Sequence, residues 1–458
     1  MFGYALLLIL GLSLVAYYIG RSQGIAFAGG EVKSHSLPSY HGAFVAVWVG
    51  IPALVLVLIW IVLQGPIIDR LLLGTLPASM TEGASASQLN LYLSEIKNVA
   101  GGRAFSDPTP EIEATAATYV RLQTIARWAM LVTAAALMIV SLIIARAQLS
   151  ARFRARNGVE LVMSGLMVFC SLVAILTTVG IIASLLFEAW RFFEQVPLTE
   201  FLFGLNWEPQ IRLREDQIAG AGAFGAIPVF TGTLLIATIA MLVATPIGLF
   251  TAIYLVEYAD DRIRAVVKPI MEILAGIPTV VYGFFAVLTV APAIREFGSV
   301  FGIAVSPNSA LAAGGVMGIM IIPFISSLSD DALKAVPRAM RDGSLALGAT
   351  RAETMTKVLL PAALPGIMGG VLLALSRAIG ETMIVVMAAG LIATLTFNPI
   401  DSVTTVTVQI VTLLIGDTEF DSPKTLAAFA LGLVLFVVTL GLNVLALHIV
   451  RKYREQYE

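Results

Sequence analysis

Residues 330–366 read "DDALKAVPRAMRDGSLALGATRAETMTKVLLPAALPG", a polar island between two long apolar runs. Its local chemistry is legible. Pro337 suits a first helical turn, where its missing N–H costs nothing. Leu333, Val336 and Met340 recur at spacings of three and four, and Leu347 follows Met340 by seven, as on one helix face. Gly348 suits the position just past a helix end, where φ turns positive. Thr350 followed by Glu353 fits a capping box that starts a second helix. Pro361 and Pro365 punctuate the approach to the next apolar run. The stretch predicts two short helices meeting at a glycine turn. An amphipathic linker lying on a membrane surface fits the same signals equally well.

The apolar runs on either side set the class. The chain has 458 residues, 58% hydrophobic and 13% charged, against about 25% charged in a soluble domain. Mean hydropathy is +0.91, and runs of 18 or more apolar residues recur, which makes an all-α polytopic membrane protein. A net charge of −2 and the lack of a basic domain speak against nucleic-acid binding. The single Cys170 lies in an apolar run, which predicts a packing role. The first residues, "MFGYALLLILGLSLVAYYIG", lack a positive n-region and are long for a signal peptide, so they read as a retained transmembrane helix.

Nine spans are predicted, near 2–20, 43–64, 128–146, 159–187, 228–256, 269–293, 309–328, 363–392 and 426–450. Each reaches the length of about 20 residues that crossing requires. Lys and Arg in short loops set orientation. Arg146, Arg152, Arg154 and Arg156 share one loop, Arg262, Arg264 and Lys268 another, and Lys334, Arg338, Arg341, Arg351 and Lys357 lie in the quoted island. Arg451, Lys452 and Arg454 close the chain. These segments are expected in the cytoplasm, with the N-terminus outside and the C-terminus inside. The 393–425 loop has Lys424 alone against Asp401, Asp417, Glu419 and Asp421, as an outer loop would. Two outer loops are long. Residues 65–126 turn amphipathic after Pro110, predicting a helical piece outside the membrane, and residues 188–227 read as irregular. The chain divides into residues 1–157, with three spans and the larger outer loop, and residues 158–458, with six spans. Within the latter, 228–450 forms a core and 329–361 its cytoplasmic loop.

At the island a resemblance enters. Asp342-Gly343-Ser344, Gly348 and Val358-Leu359-Leu360-Pro361 resemble the "EAA" loop of ABC importer permeases, E-A-A-x₃-G-x₉-I-x-L-P. The glycine and Leu-Pro match in register; Gly343 and Ser344 depart from Ala-Ala, and Val358 replaces Ile. The resemblance implies that the segment carrying Arg338, Met340, Asp342, Gly343, Ser344, Leu347 and Gly348 docks on an ATPase. "GAIPVFTGTLLIATIAMLVATPIGLFTAIYLVEYA", "ILAGIPTVVYGFF" and "SRAIGETMIVV" resemble phosphate ABC transporter permeases of the PstC type over about residues 158–450. The N-terminal part is similar, more weakly, to the extension of long phosphate permeases. The resemblance implies a six-helix type I importer core plus a three-helix extension. It implies as partners a second permease chain of the PstA type, an ATPase dimer of the PstB type holding ATP and Mg, and an external phosphate-binding protein of the PstS type. No cofactor or metal is expected on this chain, which has no G-x-x-x-x-G-K-[ST] loop.

Arg377 and Glu381 stand out inside "ALSRAIGETMIVVMAAG". Twelve and sixteen residues past Pro365, they fall about 18 and 24 Å along a helix, at membrane depth and on one face. Intramembrane charge is a functional candidate by default. One reading is a buried ion pair that fixes packing. The other sets Arg377, Glu381 and Thr382 along an oxyanion path, with the guanidinium fork suited to phosphate oxygens and Glu381 offsetting its charge. The resemblance supports the second.

Lower expectations attach to other residues. Glu257 and Glu272 read as interfacial, with Lys268 paired to Glu272 at i,i+4. Asn443 and Thr439 read as interhelical hydrogen-bonding groups, His448 as interfacial, and Pro246 and Pro278 as kinks. His35 and His41 share a loop without metal-ligand spacing. A permease for another oxyanion, sulfate or molybdate, is the near alternative. An ATP-independent secondary transporter is the distant one, and a membrane anchor without transport fits least.

Overall fold

In lipid each backbone polar group must be satisfied within its own segment, so the apolar runs become helices. The computed structural model describes residues 2–28, 34–76, 86–103, 109–210, 222–415 and 421–454. The stretches 77–85 and 211–221, with Asp417 and Glu419, lie outside the described residues. In chain order the elements are α1 Phe2–Ala28, α2 Pro38–Leu73, α3 Ala86–Ala100, α4 Pro110–Gln148, α5 Ala155–Phe193 and α6 Leu198–Phe203. A two-residue pair follows, β1 Trp207–Glu208 antiparallel to β2 Ala223–Phe224. Then come α7 Ile227–Tyr258, α8 Asp261–Ala275, α9 Thr279–Val300, α10 Ala310–Ala335 and α11 Arg338–Ala346. The last are α12 Arg351–Ile379, α13 Met383–Ala388, α14 Val406–Leu414 and α15 Pro423–Arg454. Among the described residues nine of these are long and apolar enough to cross a membrane: α1, α2, α4, α5, α7, α9, α10, α12 and α15.

Several boundaries differ from the sequence reading. Pro110 opens α4 itself, so the outer amphipathic piece and the third span are one helix, and α3 is an additional one. The 188–227 loop is not irregular throughout, since it holds α6 and β1 paired with β2. The sixth span begins at Thr279, not near 269. Gly276 closes α8 and Pro278 sits as the N-cap of α9, where a proline starts a helix and does not kink one. Pro246 does lie inside α7. The eighth span stops at Ile379, with Gly380 closing it. Cys170 is exposed on α5 and so is not part of a buried core among the described residues. Thr439 Oγ donates to its own helix, at Leu435 O, 2.9 Å, and Asn443 Oδ1 is buried without a partner; neither bonds another helix.

The chain forms two compact units, residues 1–176 and 177–458, with α5 running through the boundary. In the first, α1, α2 and α4 bury Ala16, Val45, Val49, Met130 and Met138 together. His41 is fully buried there at the start of α2, both ring nitrogens without a partner. In the second, Ile236 and Ala240 of α7, Val316, Ile321 and Ile325 of α10, and Ala374 and Ala378 of α12 form the main core. Gly314 and Gly318 of α10 face Ile239 and Val243 of α7, the small-against-large contact that lets membrane helices approach closely. A second cluster joins Phe192, Phe201, Trp207 and Phe224 to Leu426 and Leu431 of α15, its rings meeting edge to face as their quadrupoles favour.

Candidate functional site

The island of residues 330–366 resolves into a short exposed helix and a glycine turn. α10 ends where Val336 and Pro337 turn extended, and Pro337 caps α11. Gly348 takes φ +88°, a left-handed conformation that costs a side-chain-bearing residue about 1–2 kcal/mol. Thr350 Oγ accepts from Glu353 N at 3.2 Å, and Glu353 Oε2 accepts from Thr350 N at 3.0 Å, the capping box its spacing predicts. The second helix is not short, because after a π-helical turn at Met355–Leu359 it runs on as α12. Leu333 and Val336 precede the Pro337 break and so do not share a helix with Met340 and Leu347.

No residue of α11 is buried. Arg338, Asp342, Gly343 and Gly348 are exposed, and Leu347 is 91% exposed. Met340 turns inward, beside Pro337 and Ala363. Two polar contacts hold the helix from beneath. Arg341 Nη2 donates to Glu257 Oε1 at 2.9 Å, with the Glu257 side chain 1% exposed, and Ser344 Oγ meets Thr354 Oγ1 at 2.9 Å. Glu257 is therefore not interfacial: it is a buried carboxylate at the end of α7 that ties α11 to the core.

A second carboxylate missed in the sequence is Asp330, near the end of α10 and 5% exposed at its side chain. It accepts from Arg264 Nη2 (2.9 Å), Lys268 Nζ (3.1 Å) and Lys334 Nζ (2.6 Å). Lys268 thus reaches across to α10 and does not pair with Glu272. The i,i+4 pair Lys334–Asp330 was available from spacing. Arg264 and Lys268, also four apart, marked a basic face on α8 without naming its acid, some sixty residues away.

Arg377 and Glu381 are not an ion pair. α12 ends between them, and the Glu381 carboxylate serves the next helix: Oε1 accepts from Met383 N at 3.1 Å and Ile384 N at 3.5 Å at the start of α13. Those amides have no intrahelical acceptor, so a carboxylate there is well placed by charge and geometry. Thr382 is the N-cap residue of α13, its side chain making no cap bond. The segment after α13 folds back on a polar network. Thr407 Oγ1 donates to Glu381 O (2.8 Å), Val406 N to Thr233 Oγ1 (3.0 Å), Gln409 Nε2 to Leu391 O (2.8 Å) and Trp207 Nε1 to Gln409 Oε1 (2.9 Å). Gly232 of α7 lies directly against Thr404 O, an approach any Cβ would block. Irregular backbone inside a membrane region is tolerated where protein buries it like this.

Arg377 has no carboxylate within ion-pair distance among the described residues. It opens onto a cavity of about 280 Å³ whose other polar lining is Lys268, Glu272, Ser326, Ser327 and Asp330. Met320 and Asp330 both line it, ten residues apart on α10, so it extends about 15 Å along that helix. Groups of three or more His, Cys, Asp or Glu suited to a metal ion do not occur among the described residues.

Two family models match the chain. One, described as a phosphate ATP-binding cassette transporter, covers residues 6–177; the other, a binding-protein-dependent transport system inner membrane component, covers residues 244–455. A probable ABC transporter permease protein, YqgH of Bacillus subtilis, is 36% identical over 272 residues, 59% of this chain and 84% of that protein. The phosphate transport system permease protein PstC 1 of Mycobacterium bovis is 32% identical over 277 residues, 55% of this chain and 81% of that protein. PstC of Pasteurella multocida is 30% identical over 287 residues, 59% and 85%.

Proposed function

The chain belongs to the PstC-type family of phosphate-transport ABC permeases, and from that premise we propose that it forms one half of the membrane path of an ATP-driven phosphate importer. It is a transport subunit of the multi-pass membrane class; the ATPase is a separate chain, as permeases of this family require, and a substrate-binding protein delivers the cargo. In our reading those partners are a PstA-type permease, a PstB-type ATPase dimer and a PstS-type binding protein. The complex sits in the bacterial cytoplasmic membrane with this chain's N-terminus outside and C-terminus inside.

The observation that carries the coupling assignment is α11. It is a short helix with no buried residue, held by Arg341–Glu257 and ended by Gly348 at φ +88°. Closure of the ATPase on ATP would push on Leu347 and the outward face of α11. The Arg341–Glu257 bond would pass that displacement to α7, and α10, separated from α11 by two residues, would carry it to the cavity wall. Arg377 then meets the anion with its fork free, since Glu381 is engaged on α13. Phosphate-stimulated ATP hydrolysis by the complex copurified with this chain, measured with and without the binding protein, tests the proposal. Phosphate accumulation by this chain reconstituted without ATPase or ATP would overturn it.

A further inference from the structure

The cavity below Arg377 contains more cationic machinery than one guanidinium. Lys268 reaches it from α8, and Ser326, Ser327 and Asp330 line it from α10. Arg264 and Lys334 complete the cluster through Asp330. The lining itself carries two cations, Lys268 and Arg377, and two carboxylates, Asp330 and Glu272, and of these carboxylates Asp330 is also compensated from outside the cavity by Arg264 and Lys334. At about 280 Å³ it exceeds the roughly 30 Å³ share of a single water several-fold, so a hydrated oxyanion fits.

The cluster's arrangement singles out one cation. Asp330 holds three partners, and Lys268 makes the longest of the three contacts, 3.1 Å against 2.9 and 2.6 Å. Among those three, Lys268 is the one that lines the cavity. If Lys268 swings away, Arg264 and Lys334 remain on Asp330, so the buried carboxylate is never left uncompensated. The large penalty for stranding a buried charge therefore does not oppose the movement. A lysine ammonium is a flexible point charge, suited to a brief contact. Arg377 lies near the level of Met320, and Lys268 near that of Asp330, about 15 Å nearer the α11 end by the rise of α10.

We propose that this cavity is the exit subsite of the path. The oxyanion leaves Arg377 for Lys268, which gives up Asp330 to receive it and returns to Asp330 when the anion departs. This rests on the phosphate-permease reading for the identity of the anion. Two sites of moderate strength in series move an ion onward without trapping it.

The test uses the whole complex, carrying Cys170→Ser and Ser327→Cys on this chain; both positions are exposed. Modification of the introduced thiol by a small thiol reagent is followed by mass, with inorganic phosphate or chloride present. At ten times a millimolar Kd, occupancy slows modification about tenfold. We expect that protection from phosphate, none from chloride, its loss in Lys268→Gln and its retention in Lys268→Arg. Equal modification with and without phosphate, in a complex that accumulates phosphate, overturns the subsite and leaves the transport reading standing. Protection in a complex whose unsubstituted parent also accumulates no phosphate supports the anion site and overturns the transport reading. Protection in the otherwise unchanged background decides the matter even where Lys268→Gln does not assemble, and protection undiminished in an assembled Lys268→Gln complex overturns the role given to that lysine.

Discussion

Replacing Arg341 by Gln tests whether α11 is mechanically tied to the membrane core. The bond is 2.9 Å long, between a carboxylate 1% exposed and a guanidinium 37% exposed. Removing one partner of a buried pair costs about 3–5 kcal/mol, because the other charge stays behind in poor solvent. The guanidinium is more than a third exposed, so screening lowers the figure to about 2–3 kcal/mol. Glu257 Oε2 is buried and without a hydrogen bond, so no second contact substitutes for the lost one. At 1.4 kcal/mol per tenfold, the population of α11 detached from the core should rise about 30- to 150-fold. Amide hydrogen exchange reads this directly: in the intact complex, amides of residues 338–346 should exchange faster by that factor, with α1 and α2 unchanged. Glu257→Gln should give a smaller change, since the amide oxygen still accepts from Arg341 and the guanidinium left without its anion is 37% exposed. The double variant should fall short of the sum, because the two groups share one interaction. Unchanged exchange over 338–346 in Arg341→Gln, or strict additivity in the cycle, would refute the linkage.

Three further outcomes follow from the same geometry. Gly348→Ala forces a side-chain-bearing residue to φ +88°, a cost of about 1–2 kcal/mol; phosphate-stimulated ATP hydrolysis should drop several-fold while Gly348→Asn, which tolerates that region better, drops less. Leu347→Asp alters a side chain 91% exposed in the isolated chain, so the thermal midpoint of the purified chain should stay put, whereas copurification with the ATPase should fail. Glu381→Gln keeps an oxygen to accept from Met383 N and Ile384 N and should transport better than Glu381→Ala; if the two behave alike, the capping role is wrong.

The spans were readable because lipid removes the need for periodicity: an apolar run of sufficient length is enough. What misled was punctuation inside such runs. Pro278 sits among apolar neighbours and Gly380 between two apolar runs, so a hydropathy window carries through both, yet one starts α9 and the other ends α12. The Arg377–Glu381 spacing looked like a helical pair only on the premise that the helix continued. The glycine turn and the capping box of the 337–353 segment were legible, since both are local devices: Gly348, Thr350 and Glu353 act within a few positions of one another. Glu257 and Asp330 were not, because each takes partners more than sixty residues away, and a lone acid at the end of an apolar run looks the same whether it faces lipid headgroups or a distant arginine.

Those two acids also tie α11 and the cavity to one set of helices. α10 lines the cavity from Met320 to Asp330 and stops at Ala335, just before α11. Asp330 binds α8 to this helix through Arg264 and Lys268, while Glu257 binds α11 to α7. Any displacement of α11 therefore arrives at the cavity by two routes, along α10 in the backbone and through α7 by an ion pair. Interdigitated cores switch between discrete packings and do not deform smoothly, and here Gly314 and Gly318 lock α10 against α7. The two routes then cannot move independently. Weakening the Arg341–Glu257 route alone should lower the transport obtained per ATP without abolishing hydrolysis, because the backbone route through Pro337 remains.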